Sequence, residues 1–275
     1  MMMNLLACDI INKNKKMLVQ ESEKFTAQIL DRKDYIKNIS KVLAMDPEIL
    51  NIYKDVKEKI GNFEKINEKR EIVISSGHRL KYIFNEIIIK YERDFGLPVR
   101  YHFYLPPAKI WLIPDKPYGE DVILENKISE KPNVAEAISK AKLVSGIIPE
   151  KDTLVFSSIT PIQSETGEVL GAIEAWTDFS SIIDHYLMSN QKDKIIIILN
   201  KAYKKYFTKI PASLIFENGI IYYTNIEAVD YKKIVDRVLS LKEKDFIKID
   251  NRNFIVINIY DFTNQEIGKI LLSIF

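Results

Sequence analysis

The residues best equipped for chemistry are gathered in one stretch, "HFYLPPAKIWLIPDKPYGEDV", residues 102 to 122. His102 is a proton carrier or ligand by type, Tyr104 and Trp111 offer aromatic surface with a polar tip, and Glu120 and Asp121 form an acidic pair. Two readings stand. In one, His102 and Tyr104 share a face of a strand, because side chains alternate with period two. Trp111 then adds an aromatic base from the next strand, and Tyr118 with Asp121 closes a lid over a bound ligand. In the other reading a core histidine bonds to backbone while the aromatics pack beneath a loop. The acidic pair divides the same way: adjacent loop residues diverge too easily for metal or acid–base work, and helix capping or backbone bonding accounts for Asp121 equally well.

Elsewhere the equipment for chemistry is sparse. His78, His102 and His185 are scattered without partners at metal-ligand spacing, and Cys8 is the only cysteine, so no internal disulfide can form. There is no glycine-rich phosphate loop, no serine in a strand-to-helix elbow and no HExxH pair. The chain therefore reads as a non-enzyme that calls for no cofactor and no metal. Its 40 basic and 38 acidic residues nearly cancel and are interleaved, leaving no basic stripe for a run of phosphates, so nucleic acid is not an expected partner. The longest apolar run, Ile195 to Leu199, falls far short of the roughly 20 residues that cross a bilayer. At the start, Leu5-Leu6-Ala7-Cys8 has the form of a lipoprotein cleavage box; the clipped end of a preceding hydrophobic segment, or a frayed helix start, is the simpler account.

The elements that must position these groups follow from periodicity. Between about Asn12 and Ala44, Leu18, Phe25 and Ile39 fall in one heptad register and Ile29, Ile36 and Leu43 in the complementary one, which makes a long amphipathic helix. Ser22 and Arg32 interrupt its seam, which favours a helix docked on something, with a parallel copy beside it, over an isolated coiled coil. Asp46-Pro47 opens a second helix to about Lys59, and Leu80, Ile83, Phe84, Ile87, Ile88 and Tyr91 mark a third that stops at "FGLP". "VRYHFYL" and "KIWLIP" read as a hairpin around Pro106-Pro107, followed by an acidic loop and a helix from Asn133 to Val144 that Gly146 and Pro149 end. "TLVFSSITPIQ" and "EVLGAIEAW" are two more strands. Glu174, in the last of these, faces either the pocket or the helices.

The second half repeats the order, with strands from "KIIIILN" and "SLIFENGIIYYTN", a helix near Val229 to Leu241, and strands from "FIKID", "FIVINIYDF" and "EIGKILLSI". Its tyrosines, Tyr203, Tyr206, Tyr222, Tyr223, Tyr231 and Tyr260, read as half-buried packing. Gly171 and Gly268 occupy matching places in the last strand of each half, an internal duplication of architecture. The fold class is α+β: a long N-terminal helical spine and two tandem PAS-like modules, each an antiparallel sheet with a crossing helix. Small ligands commonly bind in the concavity under such a crossing helix.

The opening stretch, followed by "VSGII", "ITPI" and "GEVLGAIE", resembles the double Cache sensor domains of bacterial chemoreceptors, histidine kinases and diguanylate cyclases. It is similar above all to the variant whose first module carries an "HFHLPPA…FLR…GDDL" signature. The resemblance implies a spine at 1–96, a membrane-distal module at 97–185 and a membrane-proximal module at 186–275. It also implies a sensing region on the periplasmic or extracellular face, tethered by membrane helices outside the present chain and dimeric through the long helix. Where the family pattern has a second histidine, two arginines and an acidic residue, this chain has Tyr104, Ile113, Ser157 and Ile148. Since arginine forks hold carboxylates best, the replacements imply a ligand that is neutral or weakly charged, or a first module that binds nothing. The ligand-binding set so implied is His102, Tyr104, Trp111, Tyr118, Asp121 and Ser157. The alternative function is an interaction module with a self-filled pocket that docks a partner protein.

Overall fold

The computed structural model describes residues 2–92, 98–226 and 230–274, with side chains from residue 15 onward except residues 65 and 90–92. The Cys8 side chain, on which the lipoprotein reading turns, lies outside the described residues, as do residues 95–97 of the "FGLP" stop and residues 227–229 ahead of the last helix.

The first helix, α1 (Met2–Ala44), starts well before the expected Asn12 and buries Leu18, Phe25, Ile36, Ile39 and Leu43. Both residues that interrupt its seam have partners: the buried Ser22 hydroxyl donates to the Val19 carbonyl at 2.7 Å, and Arg32 Nη2 lies 2.9 Å from His185 Nε2. The Asp46 carboxylate accepts from the Glu48 and Ile49 backbone N–H groups, at 2.9 and 3.2 Å. With Pro47 as the first helical residue, this begins α2 (Pro47–Ile60), which Gly61 ends at φ 71°. The third helix, α3 (Arg70–Glu92), begins earlier than its apolar pattern suggested. Among the described residues no helix is long and apolar enough to cross a membrane.

The chain divides into two compact units. One comprises Lys33–Gly146 and Phe156–Thr177 and is built around a six-stranded sheet of order β3-β2-β1-β6-β5-β4. The strands of this sheet are β1 (Arg100–Leu105), β2 (Lys109–Leu112), β3 (Val122–Asn126), β4 (Val144–Glu150), β5 (Thr153–Gln163) and β6 (Val169–Asp178), of which residues 147–150, residues 153–155 and Asp178 count with the other unit. The crossing helix is α4 (Pro132–Ser139). Two strands were not expected. Pro149 predicts a helix end after Gly146, but β4 is an edge strand, where a proline leaves no ladder donor missing from an inner pair. Likewise β3, at the opposite edge, forms inside what read as an acidic loop.

Adjacent residues of β5 show the two faces of this sheet. Ser158 meets Ser40 of α1, hydroxyl to hydroxyl at 3.0 Å, while Ser157 turns to Glu174 on the other side. On the helix-covered face Tyr101 and Phe103 pack on Phe84 of α3, with centroids 4.9 and 5.3 Å apart. Here a Cβ on Gly171 would collide with the Tyr104 carbonyl and the Tyr53 ring, so only glycine lets Tyr53 of α2 seat against the strands. The Tyr53 hydroxyl lies 3.3 Å from the Tyr104 carbonyl and 3.4 Å from that of Ala172.

The other unit comprises Met1–Arg32, Ile147–Val155 and Asp178–Phe275. Its five-stranded sheet has the order β8-β7-β11-β10-β9, and every adjacent pair is antiparallel. The strands are β7 (Lys194–Asn200), β8 (Gly219–Thr224), β9 (Phe246–Ile249), β10 (Arg252–Tyr260) and β11 (Glu266–Ser273). Helix α5 (Phe179–Ser189) precedes them and α6 (Tyr231–Val238) crosses them. "SLIF", expected as strand, is instead a short 3-10 turn with a single bridge from Ile215 to Ile220. Ile234, Val235 and Val238 of α6 pack on Ile196, Ile198, Ile221, Phe254, Val256 and Leu271, so this face is filled by the chain's own apolar side chains. Gly268 repeats the situation of Gly171: a Cβ there would strike the Ile198 carbonyl of the neighbouring strand.

Candidate ligand-binding site

The site begins with strand register. Antiparallel β1 and β6 set Arg100 opposite Trp176, His102 opposite Glu174 and Tyr104 opposite Ala172. With period two, His102, Tyr104, Glu174 and Trp176 fall on the sheet face away from α2 and α3. Glu174 is fully buried and serves as the hub. The Tyr104 hydroxyl donates to its Oε2 at 2.6 Å, Ser157 donates to its Oε1 at 2.7 Å, and His102 Nδ1 lies 3.2 Å from Oε2. Lys131, the N-cap residue of α4, brings its ammonium to 3.4 Å from Oε2.

Burial by itself raises the Glu174 pKa, but the Lys131 charge, the His102 bond and charge, and the Tyr104 bond together outweigh it and hold the carboxyl well below its ordinary range. An ionised carboxylate only accepts, so His102 Nδ1 carries the hydrogen in this contact. Trp176 extends the same face, its ring 5.6 Å from that of His102, and the Arg100 guanidinium lies 5.0 Å from the Trp176 ring centroid.

Three members of the expected set thus converge on one carboxylate: His102, Tyr104 and Ser157. The other three lie elsewhere. Trp111 donates from Nε1 to the Val73 carbonyl of α3 at 3.0 Å and meets the Tyr53 ring edge-on at 4.9 Å, which places it on the helix-covered face. The cause is a bulge: β1 pairs Phe103 with Leu112 and Tyr104 with Ile110, so Trp111 is the extra residue and period-two counting across the hairpin fails.

Asp121 is also fully buried, but its partners are on α3: Lys81 Nζ at 3.1 Å and His78 Nε2 at 3.6 Å, with the Gly119 N–H at 3.0 Å. Burial, which raises its pKa, is outweighed by the Lys81 and Gly119 bonds, and the carboxyl stays below its ordinary value. Tyr118 is 75% exposed and stacks on His78 at 4.1 Å. The β2–β3 loop is therefore strapped to α3, and the exposed Glu120 does not share Asp121's pocket.

Glu174 has no assigned role in the sequence pattern, and Lys131 does not stand out in it. Each carries a signal in retrospect: Glu174 is the only charge within the apolar run "VLGAIEAW", and Lys131 stands directly before a helix-initiating proline.

No protein-family model matches the sequence, and no curated protein matches it. Solved structures do match. The domain of a putative sensory box/GGDEF family protein from Vibrio parahaemolyticus aligns at 13% identity and TM-score 0.54, covering 96% of each chain. The sensor domain of the histidine kinase DctB from Vibrio cholerae aligns at 10% identity and TM-score 0.53, covering 95% of this chain and 98% of its own. The ligand-binding domain of the Campylobacter jejuni chemoreceptor Tlp3, in complex with L-norvaline, aligns at 11% identity and TM-score 0.50, covering 96% of this chain and 90% of its own. The chain shares the fold of these sensor domains over nearly its full length, which is the α+β architecture expected from the double Cache resemblance.

Proposed function

We propose that this chain is the extracytoplasmic sensing domain of a transmembrane signalling receptor and that it binds a small molecule beside Glu174, in the unit that carries the six-stranded sheet. The observation that carries this reading is a fully buried carboxylate joined to the crossing helix through Lys131. A strand, a crossing helix and a partly accessible histidine meet there, so a ligand that alters the Lys131 contact changes how α4 sits on the sheet. Binding biases such a movement only through different affinity for two arrangements. The fold it shares with chemoreceptor and kinase sensor domains supports the same role, and a chemotaxis transducer is one such receptor. The second sheet, filled by its own side chains, then serves as the membrane-proximal transmitter, with α1 as the dimer-forming helix. A thermal-shift screen of metabolites tests the reading: a stabilising compound should lose its effect in both Glu174→Gln and His102→Ala. Unchanged stabilisation in both variants would remove the ligand from this site.

A second reading draws on the saturation of Glu174 by four donors from within the chain. In that case the first sheet is a self-filled interaction module that docks a partner protein. It is favoured if Glu174→Gln leaves every small-molecule response intact.

A further inference from the structure

The Glu174 cluster balances its own charge. Its carboxylate has a cation in Lys131 and further donors in His102, Tyr104 and Ser157, so little of it remains for a guest. An ammonium ligand has to displace Lys131, and a carboxylate ligand meets a buried anion of its own sign; both are costly in a site of low dielectric. Two unsatisfied groups, one on α4, which Lys131 caps, and one on β6, which carries Glu174, are neutral. Asn133, two residues after Lys131 on the buried face of α4, is fully buried, and neither its Oδ1 nor its Nδ2 has a hydrogen-bond partner in the protein. Trp176 Nε1, on the Glu174 face of β6, is likewise buried without a partner.

A buried amide with both functions unmet is expensive to keep, and leucine has nearly the same volume. An amide presents one donor beside one acceptor, and its best complement is another such edge, as in a carboxamide, a lactam or a nucleobase. We infer that the ligand is a neutral molecule bearing an adjacent donor–acceptor edge of the amide type, paired with Asn133 and receiving a further bond from Trp176 Nε1. The inference rests on the sensing role proposed above and names the ligand class for that site.

The test uses the 275-residue chain. Uracil, hypoxanthine, nicotinamide and 2-pyrrolidone serve as neutral probes, and L-norvaline, L-valine and putrescine as ammonium probes, read by thermal shift and titration calorimetry. At least one neutral probe should bind saturably and lose about tenfold or more in affinity in Asn133→Leu and in Asn133→Ala, and in Trp176→Phe, which keeps an aromatic ring and removes the indole donor. Without any probe, Asn133→Leu should melt about 2–4 °C above the parent, because an unmet polar group has been replaced by an apolar one. A lowered melting temperature in Asn133→Leu, with full affinity for the neutral probe in Asn133→Ala, overturns the inference by making the amide structural. Binding of ammonium probes alone, lost in Glu174→Gln and kept in Asn133→Ala, overturns the ligand class while leaving the sensing role intact. If no probe of either kind responds to Glu174→Gln or to Asn133→Ala, the sensing role at this site falls as well.

Discussion

His102 and Glu174 stand directly opposite one another on paired antiparallel strands, and their side chains meet on the face of the sheet away from α2 and α3, Nδ1 to Oε2 at 3.2 Å. Cross-strand neighbours on one face interact as a unit, so a change at either position is felt by both strands. The histidine is partly accessible and the glutamate is not. This makes His102 the natural point of entry to the charge cluster.

Tyr104→Phe should destabilise the protein by about 1–3 kcal/mol, because the lost hydroxyl leaves one lone pair of a buried carboxylate unmet. Urea unfolding of wild type and variant measures it. A change within error would mean that the 2.6 Å bond to Glu174 carries no net stability.

Glu174 should make the protein acid-sensitive. Its pKa is depressed in the folded state, so protons bind the unfolded chain first and the stabilisation is complete only above the unfolded glutamate value of about 4.3. As pH falls below that value toward the folded pKa, the contribution drains away. The melting temperature of wild type minus that of Glu174→Gln, followed from about pH 7 to about pH 3, should shrink as the solution is acidified. A constant difference contradicts the assigned ionisation.

Gly171→Ala and Gly268→Ala should each cost about 1–3 kcal/mol or more, since the added carbon meets a backbone carbonyl that has no room to retreat. Gly119→Ala provides the contrast. Its surroundings are open, so any cost there comes from its positive φ of 93° and not from collision. Chemical denaturation of the three variants separates the two causes.

Asp121→Asn should loosen the β2–β3 loop without abolishing ligand binding. The Asp121 carbonyl accepts from the Ile113 N–H at 2.8 Å, so hydrogen exchange at Ile113 reports the loop directly. Faster exchange there with an unchanged ligand response is the expected pair of results. Loss of the response would return Asp121 to the binding site.

Much of the fold was legible in the residues. Heptad spacing located α1, Asp46-Pro47 located the break before α2, and period-two alternation placed His102 and Tyr104 on one face. What escaped has definite causes. A bulge at Trp111 adds one residue to one strand, and one residue is enough to reverse every face assignment beyond it. Edge strands tolerate Pro149 because half of their ladder is unused, so the signal that read as a stop was only a sign of position. Glu174 was visible as a lone acid in an apolar strand, but its partners come from β1, β5 and the start of α4, and no local pattern joins segments so far apart in sequence.

Tyr104 is held from two sides at once, its carbonyl by the Tyr53 hydroxyl of α2 and its phenol by Glu174. The glycine at position 171 makes the first grip feasible by clearing space for Tyr53. One residue therefore acts as the fulcrum between the helical layer and the charge cluster. A tug on Glu174 arrives at α2 through two hydrogen bonds and the single residue Tyr104, with no loop in between to absorb it.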